Sequence, residues 1–409
     1  MIKDTSNKRP PIRVRGFDED WQDKQIGEIL SEVKRSIVLE DNQQYELITV
    51  KRRNEGIISR GYLFGRDILV KNYSRLEAGD FLISKRQVVH GATGIVPANL
   101  DKAIVSNEYL VATGNDDIST EFLTIISSLS EMKRKFLLSS YGVDIEKLFF
   151  DAEDWKKRTV TIPKKTEQIE ICSFFKELNY LIQLHQRKYD KLVTIKQAML
   201  QKMFPQDGAS IPEIRFKGFE GDWEVKQVYQ VSDDSYGGGT PKTSDARFWK
   251  GDIPWIQSSD LIDTELYNVK PRKWINEMAI NKSATKLIPK NSIAIVTRVG
   301  VGKLALVSFD YTTSQDFLSL CKLKIDDFFA VVALSILLKS KLCETQGTSI
   351  KGITKDEILG YSFMVPSSVA EQSKIGTYFR KLDELIANHA IQLEKLKQLK
   401  SACLAKMFV

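Results

Sequence analysis

The segment Glu167-Gln-Ile-Glu-Ile-Cys-Ser-Phe-Phe-Lys-Glu-Leu178 recurs 204 residues later as Glu371-Gln-Ser-Lys-Ile-Gly-Thr-Tyr-Phe-Arg-Lys-Leu382. The match continues to the Met-Phe pairs at 203–204 and 407–408, and 16 of the 38 aligned positions are identical. A further repeated segment opens each half, where residues 13–21 (RVRGFDEDW) return as 215–223 (RFKGFEGDW). The repeat length of about 203 residues is far longer than the repeat unit of a solenoid protein, so it indicates a duplicated scaffold.

Apolar side chains in both copies alternate spacings of four and three residues, which is typical of a coiled-coil seam. The seam positions are Ile171, Phe175, Leu178, Ile182, His185, Tyr189, Leu192, Lys196, Met199 and Met203, and then Ile375, Phe379, Leu382, Ile386, His389, Leu393, Leu396, Lys400, Cys403 and Met407. Pro163 and Pro366 open the two segments, and Pro205 ends the first. We expect two helices of about 40 residues, each roughly 60 Å long, that pack together.

Polar residues interrupt the two seams at equivalent places, with histidine at 185 and 389 and lysine at 196 and 400. Polar seam residues commonly set register or extend their charge to solvent. We favour that interpretation over a ligand or catalytic role.

The inserts between the repeated segments, residues 13–162 and 215–365, show short strand patterns mixed with helical ones, so the predicted fold class is α+β (mixed α/β). Residues 106–110 (SNEYL) resemble 314–318 (SQDFL), which suggests a common insert fold despite little identity. The predicted division is a flexible N-terminal tail 1–12, a first domain 13–162, a helix 163–204, a linker 205–214, a second domain 215–365 and a second helix 366–409.

Composition excludes several classes of protein. A chain of 409 residues, 42% hydrophobic and 28% charged, is expected to fold into two or three globular domains without long disorder. It has no run of 18 apolar residues and no apolar region near its N-terminus, so neither a membrane helix nor secretion is predicted. Four scattered cysteines and three histidines predict no disulfide framework and no metal site, and we expect a cytoplasmic protein.

The net charge of +7 is a weak indication of a polyanionic partner. The first insert carries 22 basic and 24 acidic residues, and the second carries 20 and 18. If the protein binds nucleic acid, it is therefore expected to do so through local patches.

No catalytic motif is complete, and no catalytic residue is predicted. Residues 300–305 (GVGKLA) half-fit phosphate-binding motifs, but the P-loop lacks its first glycine and its hydroxyl, and the residues after Lys303 alternate like a strand rather than a helix. Glu131-Met-Lys133 fits a solvated helix better than a nuclease site.

Polar loops in both inserts are the candidate binding sites, because lysine, arginine, glutamine and serine reach phosphates or base edges and glycines allow close approach of the backbone to a phosphate. A solvated basic surface explains such loops equally well. The candidate DNA-binding residues are Arg52, Arg53, Arg60, Lys85, Arg86, Gln87 and His90 in the first insert, and Thr240, Lys242, Arg247, Gln257, Ser258, Ser259, Arg298 and Lys303 in the second.

The whole pattern resembles the specificity subunits of type I restriction-modification systems. The resemblance rests on residues 215–223, the loop 238–241 (GGTP), residues 253–260 (IPWIQSSD), residues 345–350 (TQGTSI) and the duplicated helices, and it covers essentially the whole chain. The first insert departs from the pattern: it has no GGTP loop and has residues 45–50 (YELITV) where the second has IPWI.

The resemblance implies two target-recognition domains separated by two long antiparallel coiled-coil helices with a pseudo-two-fold repeat. Each domain would read one half of a bipartite, asymmetric target in double-stranded DNA, and the helices would set the spacer. Two half-sites one helical turn apart, roughly 34 Å, lie within the reach of such helices. The chain itself would bind no cofactor.

The helices would also dock two methyltransferase (modification) subunits. For this the predicted contact residues are Phe175, Leu178, Ile182, Leu192, Phe379, Leu382, Ile386 and Leu396. The methyltransferase would bring S-adenosylmethionine and methylate a flipped adenine. Restriction (motor) subunits would bring ATP and magnesium. No membrane partner is expected. Two other interpretations stay open: a coiled-coil scaffold with two protein-binding domains, and a stand-alone DNA-binding regulator.

Overall fold

The computed structural model describes residues 8–69, 72–206, 208–344 and 352–409, which group into two compact units. The described residues up to Leu184, together with Leu393–Val409, form the first unit. His185–Gln392 form the second. The division cuts both long helices, so each unit contains the start of one helix and the end of the other.

Short strands and helices build the first unit. Its strands are β1 (Gln22–Gln25), β2 (Leu30–Glu32), β3 (Ser36–Ile37), β4 (Gln44–Val50), β5 (Ile57–Phe64), β6 (Tyr73–Arg75), β7 (Phe81–Ser84), β8 (Thr93–Ile95), β9 (Ile104–Ser106), β10 (Tyr109–Gly114), β11 (Ser140–Tyr141), β12 (Phe149–Phe150) and β13 (Thr159–Ile162). Its helices are α1 (Ile26–Ile29), α2 (Thr120–Ser127), α3 (Ser130–Leu138) and α4 (Ala152–Lys156), followed by the long α5 (Lys165–Lys202).

The second unit repeats this order with fewer strands. Its strands are β14 (Glu224–Gln227), β15 (Ser232–Gly237), β16 (Ile253–Ile256), β17 (Lys273–Ile275), β18 (Ser292–Val296), β19 (Leu304–Val307), β20 (Thr312–Thr313), β21 (Phe317–Leu323) and β22 (Ser362–Val365). Its helices are α6 (Glu277–Asn281), α7 (Asp327–Glu344) and α8 (Lys355–Gly360), followed by the long α9 (Val369–Lys406).

Both units contain the same four-stranded antiparallel sheet. Its strand order is β2-β10-β7-β8 in the first unit and β15-β21-β18-β19 in the second. The similar segments SNEYL and SQDFL lead into the equivalent strands β10 and β21. The predicted common fold of the inserts is therefore confirmed.

A further sheet beside the four-stranded one differs between the units. The first unit has five strands in the order β3-β6-β9-β4-β5, and the second has three in the order β17-β16-β20. In both units this sheet contains a parallel pair. It joins β4, which contains YELITV, to β9 in the first unit, and β16, which is IPWI, to β20 in the second. YELITV thus occupies the place of IPWI, and the two units differ in what surrounds it.

The two long helices are confirmed, and they run antiparallel within each unit. In the first unit the ring centroids of Phe175 and Phe408 lie 6.1 Å apart. In the second unit His185 Nδ1 lies 3.0 Å from His389 Nδ1, and Lys196 forms an ion pair with Asp383. Three of the four polar seam residues thus pair across the helices, as expected of groups that set register.

The start of the chain differs from the predicted flexible tail of residues 1–12. In residues 8–12, the Lys8 carbonyl accepts a hydrogen bond from the Trp21 N–H, and the Ile12 N–H donates to the Lys406 carbonyl, both at 3.0 Å. These backbone bonds hold residues 8–12 on the first unit, while residues 1–7 lie outside the described part of the chain. No helix in the described residues is long and apolar enough to cross a membrane.

Candidate DNA interface

In the first unit, two short turns bring several predicted residues together. Arg52 and Arg53 lie in a turn after β4, and Gln87 and His90 lie in a turn after β7. The Asn54 N–H donates to the Gly91 carbonyl at 2.8 Å, which joins the turns. Arg53 and Asn54 both have positive φ angles, near 60°, and this sharp bend leaves the Arg53 side chain exposed.

Carboxylates already neutralise part of this basic cluster. Glu146 accepts a hydrogen bond from Arg52 Nη2 at 2.9 Å and lies 3.5 Å from His90 Nε2. Arg86 donates to Glu108 at 2.6 Å, and this contact raises the pKa of its guanidinium. The carboxylates that make the first insert close to neutral thus lie partly within its basic loops.

The remaining predicted residues of the first unit are freer. Lys85 donates to the Asn107 carbonyl at 2.9 Å. Arg60 lies on β5 with an exposed side chain, and its charge acts on the Tyr109 phenol. Among the described residues Arg53 and Arg60 form no ion pair, so they keep a full charge for a phosphate.

In the second unit, the glycines at 238 and 239 pack against the backbone instead of forming a phosphate cradle. A Cβ on Gly238 would lie 2.0 Å from the Ser314 carbonyl oxygen, and one on Gly239 would lie 2.6 Å from the Ala284 carbonyl carbon. The Gly239 carbonyl accepts hydrogen bonds from Trp255 Nε1 and Thr285 Oγ1. The predicted close approach of a phosphate to these glycines is therefore wrong, because residues 284–285 and 313–314 occupy that space.

The polar residues after this loop lie at the surface. Thr240 donates to Gln315, and the Lys242 side chain is exposed. Arg247 forms a hydrogen-bonded pair with Asp245 and lowers the pKa of that carboxyl to about 2. Arg298 is exposed in the turn between β18 and β19, and Lys303 Nζ donates to the Leu261 carbonyl at 3.3 Å. The GVGK segment is thus a hairpin turn, as its strand-like continuation predicted.

Gln257, Ser258 and Ser259 directly follow β16, and two cations that the sequence analysis missed hold them. Arg272 Nη2 donates to the Ser259 carbonyl at 3.3 Å, and Arg272 Nε lies 3.4 Å from the buried Asp260 carboxylate. Lys273 Nζ donates to Gln257 Oε1 at 3.2 Å. The run KPRKW at 270–274 mixes basic and aromatic residues, and this was the signal in the sequence.

These cations line a cavity of about 480 Å³, a volume within the range of ligand pockets. Its walls are Thr243, Trp249, Lys250, Gly251, Arg272, Lys273 and Trp274. The Trp274 side chain is 43% exposed, which gives the cavity an accessible indole face beside three cations. Exposed aromatic and basic groups of this kind suit stacking on a base and contact with a phosphate.

The predicted partner-contact residues on the helices need correction. Phe175 and Leu178 are buried in the first unit, and Phe379 and Leu382 are buried in the second. These four side chains fill the interior of the chain and offer nothing to a partner. Leu192 is half-buried beside the core of the second unit. Ile182, Ile386 and Leu396 are half-buried too, and all four stay predictions. The TQGTSI motif at 345–350 lies outside the described residues.

Comparison with known proteins gives the family. The model of the type I restriction modification DNA specificity domain matches residues 18–194 and again 220–398. The type I restriction enzyme MjaIX specificity subunit of Methanocaldococcus jannaschii is 31% identical over 184 residues, which are 44% of this chain and 42% of that protein. The EcoR124I/EcoR124II specificity subunit of Escherichia coli is 30% identical over 174 residues, 41% of this chain and 42% of that protein.

The match to each of these relatives thus spans 42% of its length. A crystal structure of the S subunit of a type I restriction-modification system from M. genitalium covers 98% of this chain and 99% of its own, with a TM-score of 0.61 and 12% identity. That likeness supports the fold. Because the family model matches both halves, the chain belongs to the type I restriction modification DNA specificity domain family.

Proposed function

We propose that this chain is the specificity subunit of a type I restriction-modification enzyme and that each unit reads one half of a bipartite, asymmetric DNA target. The observation that carries the proposal is that both halves match the DNA specificity domain, while the loops around their common sheet differ. The first unit offers basic turns, and the second offers a cavity with tryptophans and cations. Different loops on one scaffold are expected to read different base sequences.

The long helices would set the spacer between the half-sites. Each has 38 residues and belongs in part to both units. One added heptad lengthens a helix by about 10 Å, close to the length of three base pairs. Adding a heptad to both helices is expected to lengthen the spacer and to leave both half-sites unchanged. Altered half-sites would contradict this role.

The helices would also dock two methyltransferase subunits, which bind S-adenosylmethionine, with ATP and magnesium supplied by restriction subunits. Equivalent exposed leucines support two similar docking places, since Leu181 in the first unit is 40% exposed and Leu385 in the second is 46% exposed. In this proposal the chain contributes recognition, and its partners contribute all of the chemistry.

The direct test is to co-express the chain with its methyltransferase in a host without DNA methylation and to map N6-methyladenine across the genome. One asymmetric split motif, absent when this chain is omitted, is the expected result. A stable complex without methylation would favour a protein-binding scaffold. Sequence-specific binding by the chain without any methyltransferase would favour a stand-alone regulator.

Exchange of the second insert tests the modular arrangement. Replacing residues 215–365 with the insert of another family member is expected to change one half-site and to leave the other half-site unchanged. A change in both halves would show that the units do not read DNA independently.

A further inference from the structure

Lys273 occupies a position that two neighbouring strands fix. In the antiparallel pairing of β16 with β17, Lys273 lies directly opposite Trp255. Its ammonium lies 5.5 Å from the ring centroid of Trp255 and 5.6 Å from that of Trp249, both within the range of cation–π attraction. The two indoles meet edge to face at 4.9 Å, and Trp255 is buried. The two rings thus favour one position for the ammonium of the exposed Lys273.

Gln257 lies two residues beyond Trp255, just after the end of β16. Because side chains alternate along an extended chain, it lies on the same side as Trp255. Lys273 Nζ donates to its Oε1 at 3.2 Å. An ammonium carries donors only, so the amide must turn its oxygen toward Lys273 and its NH₂ group away. Within the described residues that NH₂ group donates to no other group. The backbone of Gln257 is fixed too, because its N–H donates to Asp260 Oδ2 at 2.9 Å.

We infer that Lys273 is a specificity-determining positioning residue, which holds Gln257 so that only the amide NH₂ donors face DNA. A glutamine that is free to rotate pairs with adenine through one donor and one acceptor. Lys273 takes one of the two lone pairs of Oε1 and holds the oxygen toward β17, so a base that approaches the outward NH₂ group meets donors. Two donors suit the two acceptors of guanine or the O4 of thymine and are opposed by the N6 amino group of adenine. This inference rests on the proposed function.

The test uses the full-length chain in its methyltransferase complex and sequences the DNA that it selects from randomised duplexes. In the wild type, one base pair of the half-site read by the second unit is expected to require guanine or thymine. Lys273→Met frees the Gln257 amide, so adenine is expected to gain roughly 5- to 150-fold relative to guanine or thymine at that pair only, since one bidentate base contact discriminates by about that factor. Lys273→Arg keeps a donor in place and is expected to restore the preference.

Lys250→Met is the matched control, because Lys250 lines the same cavity and has the same charge, whereas it is Lys273 that binds the Gln257 amide. It is expected to leave the base preference unchanged. If Lys273→Met fails to fold, Gln257→Glu tests the inference instead. It keeps an oxygen for Lys273 and replaces the outward NH₂ donor by a carboxylate oxygen, which is an acceptor. Its expected preference is cytosine or adenine.

The outcomes separate this inference from the proposed function. A wild-type complex that selects no sequence would overturn both. A wild-type complex that selects a split motif, together with unchanged motifs for Lys273→Met and Gln257→Glu, would overturn the role of Lys273 alone. An equal loss of affinity for all sequences in Lys273→Met would make Lys273 a phosphate contact and would also overturn it.

Discussion

Arg215 donates hydrogen bonds from Nε and Nη2 to the two carboxylate oxygens of Glu371, at 2.7 and 2.8 Å. The equivalent Arg13 makes the same two bonds to Glu167, both at 2.7 Å. Each glutamate side chain is only 2% exposed. Arg13 and Glu167 lie 154 residues apart in the sequence, and Arg215 and Glu371 lie 156 apart. Each pair therefore joins the first repeated segment of its half to the start of its long helix. This contact explains why both segments recur together.

Glu371→Gln is expected to destabilise the second unit by about 3–5 kcal/mol, because it leaves the partly buried charge of Arg215 without its partner. Hydrogen exchange measured by mass spectrometry, with urea as the perturbant, would locate the loss in residues 215–365. The matched control is Asp245→Asn in the same unit. It breaks a pair with a largely exposed arginine and is expected to leave the stability of the second unit nearly unchanged. Similar losses in the two variants would contradict a special role for the buried pair.

The end of the second long helix is expected to stabilise the first unit. Phe408 packs near Trp21, Phe122 and Phe175, with ring centroids 6.0 to 6.1 Å away. Phe408→Ala is expected to cost about 3–5 kcal/mol, because it empties an aromatic cluster in the core. Faster hydrogen exchange should appear in residues 13–162, although the mutation is at the other end of the sequence. Leu399→Ala, at a 48% exposed position of the same helix, should leave that exchange unchanged.

The sequence predicted the long helices well, because a seam of apolar residues reports that one helix face is buried. It could not tell what covers that face. Phe204, just after the first long helix, packs on Trp223 of the second unit, whereas Phe408, just after the second long helix, packs on Trp21 of the first. Such an exchange of helix ends depends on distant contacts, which no local pattern records.

The candidate site was predicted in part for similar reasons. Residue types located the basic loops, but the type of a residue does not reveal its partner, such as Glu146 beside Arg52. Glycines at 238 and 239 suggested a phosphate cradle, yet close packing against residues 284–285 and 313–314 requires glycine just as strictly. Lys273 was missed because its role follows from strand pairing with Trp255.

Acid is expected to weaken the second unit through the histidine pair of the long helices. Burial, followed by the charges of His185 and Lys188, lowers the pKa of His389. In the unfolded chain a histidine gains its proton near pH 6.5, whereas folded His389 gains it at lower pH. The unfolded state therefore binds more protons as the pH falls below about 6.5, and the free energy of unfolding decreases in that range.

Thermal unfolding between pH 7.5 and 5.5 measures this effect. The wild type should lose stability on acidification, and His389→Asn should lose less. The control His90→Asn, which changes a histidine of the first unit, should still show the wild-type decrease in the second. An unchanged pH dependence in His389→Asn would exclude the pair as its source.

The free and paired arginines of the first unit are expected to differ in their contribution to DNA affinity. Arg53 and Arg60 have no ion-pair partner in the described part of the chain, whereas Arg52 is bound to Glu146. Each phosphate neutralised by a cation releases counterions, so Arg53→Ala or Arg60→Ala should lower the slope of log K against log salt by about 1. Arg52→Ala should change the slope less, because Glu146 already neutralises the charge of Arg52. Binding of the methyltransferase complex to its target at several salt concentrations measures these slopes, and equal changes in all three variants would show that the Arg52–Glu146 pair opens when DNA binds.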